Sequence, residues 1–297
     1  MSTATGKPLT NGRLRRVVSV CELKDIAVWR IASRQITRHI VAQEYQLICP
    51  DAQLAEFQRA SHPAWEILGE SGFWANCHPD MIRAKVVGSN ADRVHWLFQQ
   101  FIKINAVCDS GLNDEDLVLI WDADTVPLRP IGFVDAGSGK VCYYHGTEHH
   151  CPYFETIERL LGFGKVSAES FIAQCLPVRV RWVREVVREI QHRAGTPYVE
   201  AILGLLPGLS GSEFSEYETI GSWILRHHRD EMIFRPGNRW LRGGLRFFGA
   251  DPSRIRASLL MRLLAFHYDF VAIENWYRPI TFHRIARALS KVLGRRG

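Results

Sequence analysis

The chain has 297 residues, of which 46% are hydrophobic and 23% are charged. This composition is typical of a folded globular protein and excludes a disordered or low-complexity chain. The length predicts one large domain, alone or with an extension. No apolar run approaches the roughly 20 residues that a membrane-spanning helix requires. The formal net charge of +6 is modest, but basic residues far outnumber acidic ones from Arg226 onward.

The cysteines and the N-terminus predict a reducing compartment. The seven cysteines are an odd number and none is spaced as CxxC. Residues 1–12 are rich in Ser, Thr and Gly and lack the apolar segment of a secretory signal. We therefore expect free thiols, a cytoplasmic protein and a flexible tail over residues 1–12.

From Arg13 onward, strand-like and helix-like segments alternate. Strands are predicted over 17–21, 45–49, 65–68 and 117–121, and helices over 25–40, 52–60 and 91–107. This order predicts an α/β fold with a mostly parallel sheet flanked by helices. After Pro130 the pattern predicts strands over 140–144 and 232–236, and helices over 153–162, 180–192 and 215–227.

The most informative segment is the apolar run Leu117 to Trp121, which ends in Asp122-Ala123-Asp124. In an extended chain, side chains at i and i+2 point to the same side. Both carboxylates then face the end of the sheet, where open α/β proteins bind their ligands. Paired carboxylates there suit a hard divalent cation that also binds phosphate oxygens. The segment therefore predicts the metal and diphosphate site of an enzyme that uses a sugar nucleotide.

Three other interpretations of these aspartates can be compared with the sequence, and two of them remain open. An EF-hand loop is excluded because Val126 and Leu128 stand where further ligands would be needed. The strand-end pattern also fits the haloacid dehalogenase-like phosphatases, with Asp122 as nucleophile and Asp124 as acid and base. That motif normally follows the first strand of its domain, whereas here three strands precede it. A non-catalytic scaffold on an anionic membrane is a further alternative.

Two segments resemble the GT-A glycosyltransferases, namely Trp96-x-x-x-Gln100-x-x-Lys103 and the run from Ile120 to Pro130. The chain is most similar to a poorly characterised bacterial group that also carries a later Ser-Glu-Tyr-Glu segment. The resemblance spans residues 17–224. It implies a Rossmann-like GT-A domain over 13–240 and a nucleotide-diphospho-sugar donor. It also implies Mn²⁺ or Mg²⁺ at Asp122 and Asp124, with the late histidine His267 as a third ligand.

The same resemblance assigns the donor site. Trp96, Gln100 and Lys103 share a helix face at i, i+4 and i+7. Lys103 is expected to bring positive charge to the phosphates, and Gln100 is expected to bind sugar hydroxyls. Arg83 and Lys85, which precede this helix, are further candidates for binding phosphate.

Ser215-Glu216-Tyr217-Glu218 predicts the start of a helix. Ser215 and Glu218 have the spacing of a capping box, in which Glu218 reaches back to Ser215. This structural role does not account for Glu216. An inverting transferase needs a carboxylate base for the acceptor hydroxyl. Glu216 is the first candidate for that base and Glu218 the second.

The acceptor is expected at the loop of His149 and His150 and at Tyr153, because aromatic residues flank this loop. The histidines do not have the spacing of a zinc site. Residues 241–297 are predicted to form a basic helical extension, in which the amphipathic segment 280–293 either lies on an anionic membrane or packs on the core. Together with these features, the resemblance implies transfer to a glycan or lipid-linked acceptor in bacterial surface polysaccharide synthesis, at the inner face of the membrane. No nucleic-acid-binding motif accompanies the positive charge.

Overall fold

A mixed sheet forms the centre of the molecule. The computed structural model describes residues 13–74, 77–85, 92–205, 213–243 and 264–274. Its strands are β1 (Leu14–Val20), β2 (Ala42–Cys49), β3 (Trp65–Gly69), β4 (Leu117–Trp121), β5 (Thr125–Pro127), β6 (Val141–Tyr143), β7 (Cys175–Arg179), β8 (Met232–Phe234), β9 (Trp240–Leu241) and β10 (Phe270–Ala272). Its α-helices are α1 (Ile26–His39), α2 (Leu54–Ala60), α3 (Pro79–Arg83), α4 (Asp92–Val107), α5 (Cys151–Leu161), α6 (Val180–Ala194), α7 (Tyr198–Gly204) and α8 (Glu216–His227).

The central sheet has five strands in the order β3-β2-β1-β4-β7. The first four are parallel to one another, and β7 runs antiparallel to β4. Helix α2 packs against β3, α4 against β1 and α6 against β7. The predicted α/β fold with a mostly parallel sheet is confirmed. Every residue of β4 is buried, because strands border it on both sides and helices cover the sheet.

In the C-terminal part, the described residues 241–243 and 264–274 include the end of β9 and all of β10. The sequence predicts a helical extension from residue 241, whereas β9 and β10 join β5 in a three-stranded sheet. Ala272 pairs with Thr125, so β10 lies directly beside the segment that follows the two aspartates. The strands of this sheet are too short to show a period-two pattern, which is why the sequence does not predict them. The predicted tail 1–12 and the basic segment 280–293 lie outside the described residues.

All seven cysteines are free thiols. Burial raises the pKa of the Cys49 and Cys77 thiols to about 12, so both stay protonated and unreactive at neutral pH. Among the described helices, none is both long and apolar enough to cross a bilayer.

Helix α8 begins as predicted, but only one of the two hydrogen bonds of the predicted capping box is formed. The Ser215 hydroxyl accepts a hydrogen bond from the Glu218 backbone amide at 3.3 Å. The Glu218 carboxylate does not return to Ser215, because it accepts a hydrogen bond from the Ser170 hydroxyl instead. Burial raises the pKa of Glu218. The carboxylate therefore attaches the start of α8 to the segment before β7.

Packing at Gly221 also sets the position of α8, and it leads to a testable prediction. A Cβ atom added at Gly221 would lie 2.0 Å from Cγ of the buried Phe171 ring. We expect the added methyl group of Gly221→Ala to cost about 1–3 kcal/mol in packing, because the ring has to move within a packed core. A gain of about 1 kcal/mol in helix propensity offsets part of this cost, so the net loss of stability should be up to about 2 kcal/mol. Urea unfolding measures the difference.

Gly204 provides the matched control. It is the last residue of α7, and a Cβ atom there would have no neighbour within 4 Å among the residues that the structure describes. Gly204→Ala should leave the free energy of unfolding unchanged or slightly raised. Equal midpoints for the two alanine variants would show that Phe171 does not restrict α8.

Candidate active site

The strand order creates a crevice between the carboxyl ends of β1 and β4. From β1 the chain continues to β2 and β3 on one side of the sheet, whereas β4 lies on the other side. The loops that follow β1 and β4 therefore diverge, and open α/β sheets bind ligands at such points. Lys24 and Asp25 follow β1, and Asp122 to Asp124 follow β4. The predicted carboxylates thus lie where a ligand is expected.

A cavity of about 500 Å³ occupies this crevice. Its volume lies within the range of roughly 300–1,000 Å³ that is usual for small-molecule sites. It is lined by Val20, Lys24, Asp25, Arg93, Trp96, Gln99, Gln100, Lys103, Asp122, Ala123, Asp124, Glu148, Tyr153, Ile172, Gln174, Ser215, Glu216, Tyr217, Arg242 and Glu274. These residues come from segments far apart in the chain, and most of them are polar.

Asp122 and Asp124 both face the cavity, but not for the reason that the sequence suggests. Residues 122–124 form a turn between β4 and β5 rather than extended chain. Backbone hydrogen bonds hold this turn on both sides. The Asp122 amide donates to the Gln174 carbonyl at 3.0 Å, and the Ile273 amide donates to the Asp124 carbonyl at 2.9 Å. The turn is therefore fixed between the segments next to β7 and β10.

Lys103 lies between two carboxylates. Its Nζ is 2.7 Å from Asp122 Oδ1 and 2.8 Å from Glu216 Oε1, and its side chain is 5% exposed. Burial lowers the pKa of Lys103, but the two neighbouring carboxylates outweigh burial and raise the pKa above its usual value. Gln100 supports the same cluster by accepting a hydrogen bond from the Glu216 backbone amide at 3.0 Å. Helix α4 and the start of α8 are therefore joined at the carboxylates.

Carboxyl groups are crowded around Asp124. Burial, and then the nearby charges of Asp122 and Glu274, raise the pKa of Asp124 to about 8. The Thr125 hydroxyl offsets part of this shift through a hydrogen bond of 3.3 Å to Asp124. Burial also raises the pKa of Glu274, and Arg242 opposes that shift. An added cation would relieve this crowding of carboxylates.

Sequence reasoning missed the opposite wall of the cavity. Glu274 is 2% exposed, accepts a hydrogen bond from Gln174 at 3.0 Å and forms an ion pair with Arg242 at 3.1 Å. Arg242 also contacts Glu148 at 2.8 Å. Glu274 follows β10, Gln174 precedes β7, Arg242 follows β9 and Glu148 precedes α5. No local spacing in the sequence therefore connects these four residues. Only the pairing of β10 with β5 brings Glu274 to the aspartates.

The structure brings several predicted residues to the cavity. Trp96, Gln100 and Lys103 line it from α4, Glu216 lines it from α8, and Tyr153 lines it from α5. Lys103 is held by carboxylates, and the 5.3 Å cation–π contact of Trp96 is with Arg93. Because Trp96, Gln100 and Lys103 all line the same cavity, they share one face of α4, as predicted.

Other predicted residues lie away from the cavity. His267 is exposed in the turn before β10, whereas Glu274 lies at the cavity end of that strand. Arg83 and Lys85 are exposed at the end of α3, and Arg83 forms an ion pair with Asp80. Glu218 also does not line the cavity, since its carboxylate contacts Ser170. Short-range spacing cannot distinguish these positions from the cavity wall.

The two predicted acceptor histidines lie next to Tyr153. The His150 ring meets the Tyr153 ring edge to face, with centroids 4.6 Å apart. His149 is exposed and its ring lies 5.1 Å from the Phe154 ring. Neither histidine lines the cavity, so only Tyr153 reaches it.

The donor set fits a magnesium or manganese ion that shares its ligands with a substrate. Within the described ranges, no three His, Cys, Asp or Glu side chains are arranged to hold a metal ion on their own. The protein supplies the carboxylates of Asp122 and Asp124, whereas the Glu274 carboxylate forms an ion pair with Arg242. Mg²⁺ is usually bound by one or two carboxylates together with substrate phosphates and water. Asp122 and Asp124 match that pattern.

The sequence matches one known protein family. A family model described as a family of unknown function (DUF6492) matches residues 23–232. No curated protein matches the sequence.

The chain matches several solved structures of glycosyltransferases over most of its length. Apo mouse xyloside xylosyltransferase 1 is 9% identical with a TM-score of 0.42, and the match covers 90% of this chain and 99% of that one. The galactosyltransferase LgtC with donor and acceptor sugar analogs is 12% identical with a TM-score of 0.41, and the match covers 94% and 95%. Apo GlyE of Streptococcus pneumoniae TIGR4 is 14% identical with a TM-score of 0.39, and the match covers 93% and 60%. Because these TM-scores are low, function has to be inferred from the site itself.

Proposed function

We propose that this chain, which belongs to the family of unknown function DUF6492, is a metal-dependent glycosyltransferase of the GT-A type. The observation that carries the proposal is the cavity between the diverging ends of β1 and β4, with Asp122 and Asp124 at its wall. The proposed donor is a nucleoside-diphosphate sugar, and the proposed acceptor is a glycan or a lipid-linked glycan.

The cavity is suited to such a donor in size and in charge. Its acidic side, at Asp122, Asp124 and Glu274, is suited to a cation rather than to a bare diphosphate. A bound Mn²⁺ or Mg²⁺ would neutralise the charge that develops on the departing nucleoside diphosphate. The proposed reaction joins an acceptor oxygen to the anomeric carbon, breaks the bond from that carbon to the diphosphate, and releases the acceptor proton to a base.

Contacts in the cavity change the roles that the sequence predicts for Lys103 and Glu216. Lys103 already forms ion pairs with Asp122 and Glu216, so we assign it to holding these carboxylates rather than to binding phosphate. The Glu216 carboxylate forms an ion pair with Lys103 at 2.8 Å, and its side chain is 5% exposed. We therefore assign Glu216 to fixing Lys103 and do not retain it as the general base. The Gln100 side chain orients the backbone at Glu216.

The acceptor is proposed to enter along the wall formed by Tyr153 and Trp96. Both aromatic residues line the cavity, and amphipathic aromatic rings are suited to contact with sugars. His150 supports the Tyr153 ring from outside. A role in bacterial surface polysaccharide synthesis and peripheral contact with an anionic membrane remain parts of this proposal that come from the sequence.

Thermal-shift measurement on the full chain tests the proposal. Nucleoside diphosphates of each base are added with and without Mn²⁺. We expect one base to raise the melting temperature only when Mn²⁺ is present, and the matching nucleotide sugar to be hydrolysed slowly. The temperature shift should be lost in Asp124→Asn. Asp135→Asn is the control for that variant, because Asp135 lies in an exposed turn and contacts Ser138.

The outcome also separates this function from the phosphatase alternative. Absence of any metal-dependent nucleotide shift would contradict the transferase. Trapping of beryllium fluoride on Asp122 would instead indicate an aspartyl-phosphate mechanism.

A further inference from the structure

One oxygen of Asp122 is fully engaged by two donors. Asp122 Oδ1 accepts a hydrogen bond from the Tyr217 hydroxyl at 2.7 Å and from Lys103 Nζ at 2.7 Å. The Lys103 ammonium also lies 4.6 Å from the centroid of the Tyr217 ring. Tyr217 itself is buried, with 3% of its surface exposed.

We infer that Tyr217 is a positioning residue that, together with Lys103, occupies one oxygen of Asp122 and reserves Oδ2 for the metal ion. The inference rests on the proposed function, because it concerns the metal site of that function. It adds a residue and a role that the aspartate motif does not indicate.

The physical reason lies in the acceptor capacity of a carboxylate. Each carboxylate oxygen has about two lone-pair sites. Two donors on Oδ1 use that capacity and stop the carboxylate from rotating about its Cβ–Cγ bond. The other oxygen is then presented in one orientation, without the entropy loss of ordering it when the ion binds. Hydrogen-bonded partners of metal ligands typically change metal affinity by about 10- to 100-fold.

A tyrosine suits this role better than a second cation. Lys103 already brings one positive charge to Asp122, and a further cation would repel the metal ion. The phenol donates a hydrogen bond without adding charge.

Tyr217→Phe removes the hydroxyl and leaves the ring. We expect Mn²⁺ to bind the variant about 10-fold more weakly than the wild-type protein, measured by calorimetry or by electron paramagnetic resonance of free Mn²⁺. The metal concentration needed for half-maximal nucleotide-sugar hydrolysis should rise in parallel. At saturating Mn²⁺, kcat should return to within a few-fold of the wild-type value, because the site is still complete.

Tyr198→Phe is the matched control. Tyr198 is also buried, and its hydroxyl donates to Asn105 Oδ1 at 2.6 Å outside the cavity. It should bind Mn²⁺ as the wild type does. Equal loss of Mn²⁺ affinity in both variants would indicate a general packing effect and would overturn the inference.

The wild-type protein supplies a second readout that needs no variant. Binding of Mn²⁺ to Asp122 should change the hydrogen bond of Tyr217 and produce a tyrosine difference spectrum in the ultraviolet. No spectral change upon binding would contradict the inference.

The two proposals fail in different ways. If the wild-type protein binds Mn²⁺ and Tyr217→Phe binds it equally well, the positioning role is wrong and the transferase proposal stands. If the wild-type protein binds no Mn²⁺ with any nucleoside diphosphate, both are wrong.

Discussion

Asp124→Asn is expected to reduce metal-dependent nucleotide-sugar turnover by about 10³-fold or more. The substitution removes one of the two carboxylates that the structure offers to a cation. Charge stabilisation by a metal ion contributes several kcal/mol to a transition state. Since about 1.4 kcal/mol corresponds to a tenfold change in rate, a loss of about 4 kcal/mol gives this magnitude. Steady-state hydrolysis at saturating Mn²⁺ measures it.

The same variant should fold normally, which separates loss of function from loss of structure. Burial and the neighbouring carboxylates raise the pKa of Asp124 to about 8, so the ionised form is costly in the protein without metal. Replacing it with a neutral amide removes that cost. The melting temperature without metal should therefore be equal to or higher than that of the wild type, and Mn²⁺ should no longer raise it. An inactive variant with a lowered melting temperature would not support a role in metal binding. The control Asp135→Asn should match the wild type in turnover, in melting temperature without metal and in the shift that Mn²⁺ produces.

Lys103→Met is expected to have the largest effect on stability. The substitution leaves Asp122 and Glu216 close together with their shared cation removed, and the Glu216 side chain is only 5% exposed. Breaking a buried ion pair from one side typically costs about 3–5 kcal/mol. Urea unfolding should show a loss of this size, and turnover should fall because Asp122 loses one of its two donors.

A compensating change tests the electrostatic cause. The double variant Lys103→Met/Glu216→Gln removes one of the two unpaired charges and should recover part of the lost stability. Lys140→Met is the control, because Lys140 forms none of the ion pairs seen among the described residues. A double variant no more stable than Lys103→Met alone would show that the loss comes from packing rather than from charge.

The central sheet is largely predictable from local patterns. Strands β1 to β4 and helices α1, α2 and α4 lie within a few residues of their predictions, because apolar runs and helical periodicity directly report burial against a sheet. Strand β7 is not predicted. Its segment contains Pro177 and follows an irregular loop, and its antiparallel pairing with β4 depends on residues far away in the chain.

The candidate site is predictable in part. The sequence indicates Asp122, Lys103, Gln100 and Glu216, and all four line the cavity. Their interactions are not predictable, because the contact of Lys103 with Glu216 joins residues 113 positions apart. Glu218 has the same residue type and the same helix turn as Glu216, yet it faces Ser170. Composition and spacing alone do not distinguish the two.

The amino-acid sequence by itself therefore determined the α/β class and the strand that carries the aspartates, because burial imposes a periodic pattern on neighbouring residues. Only the tertiary structure decided which charges meet. Pairing of β10 with β5 brings Glu274 to the aspartates, and the crossing of α4 and α8 places Lys103 between two carboxylates. Such contacts depend on distances in space between segments whose separation in the chain leaves no local signal.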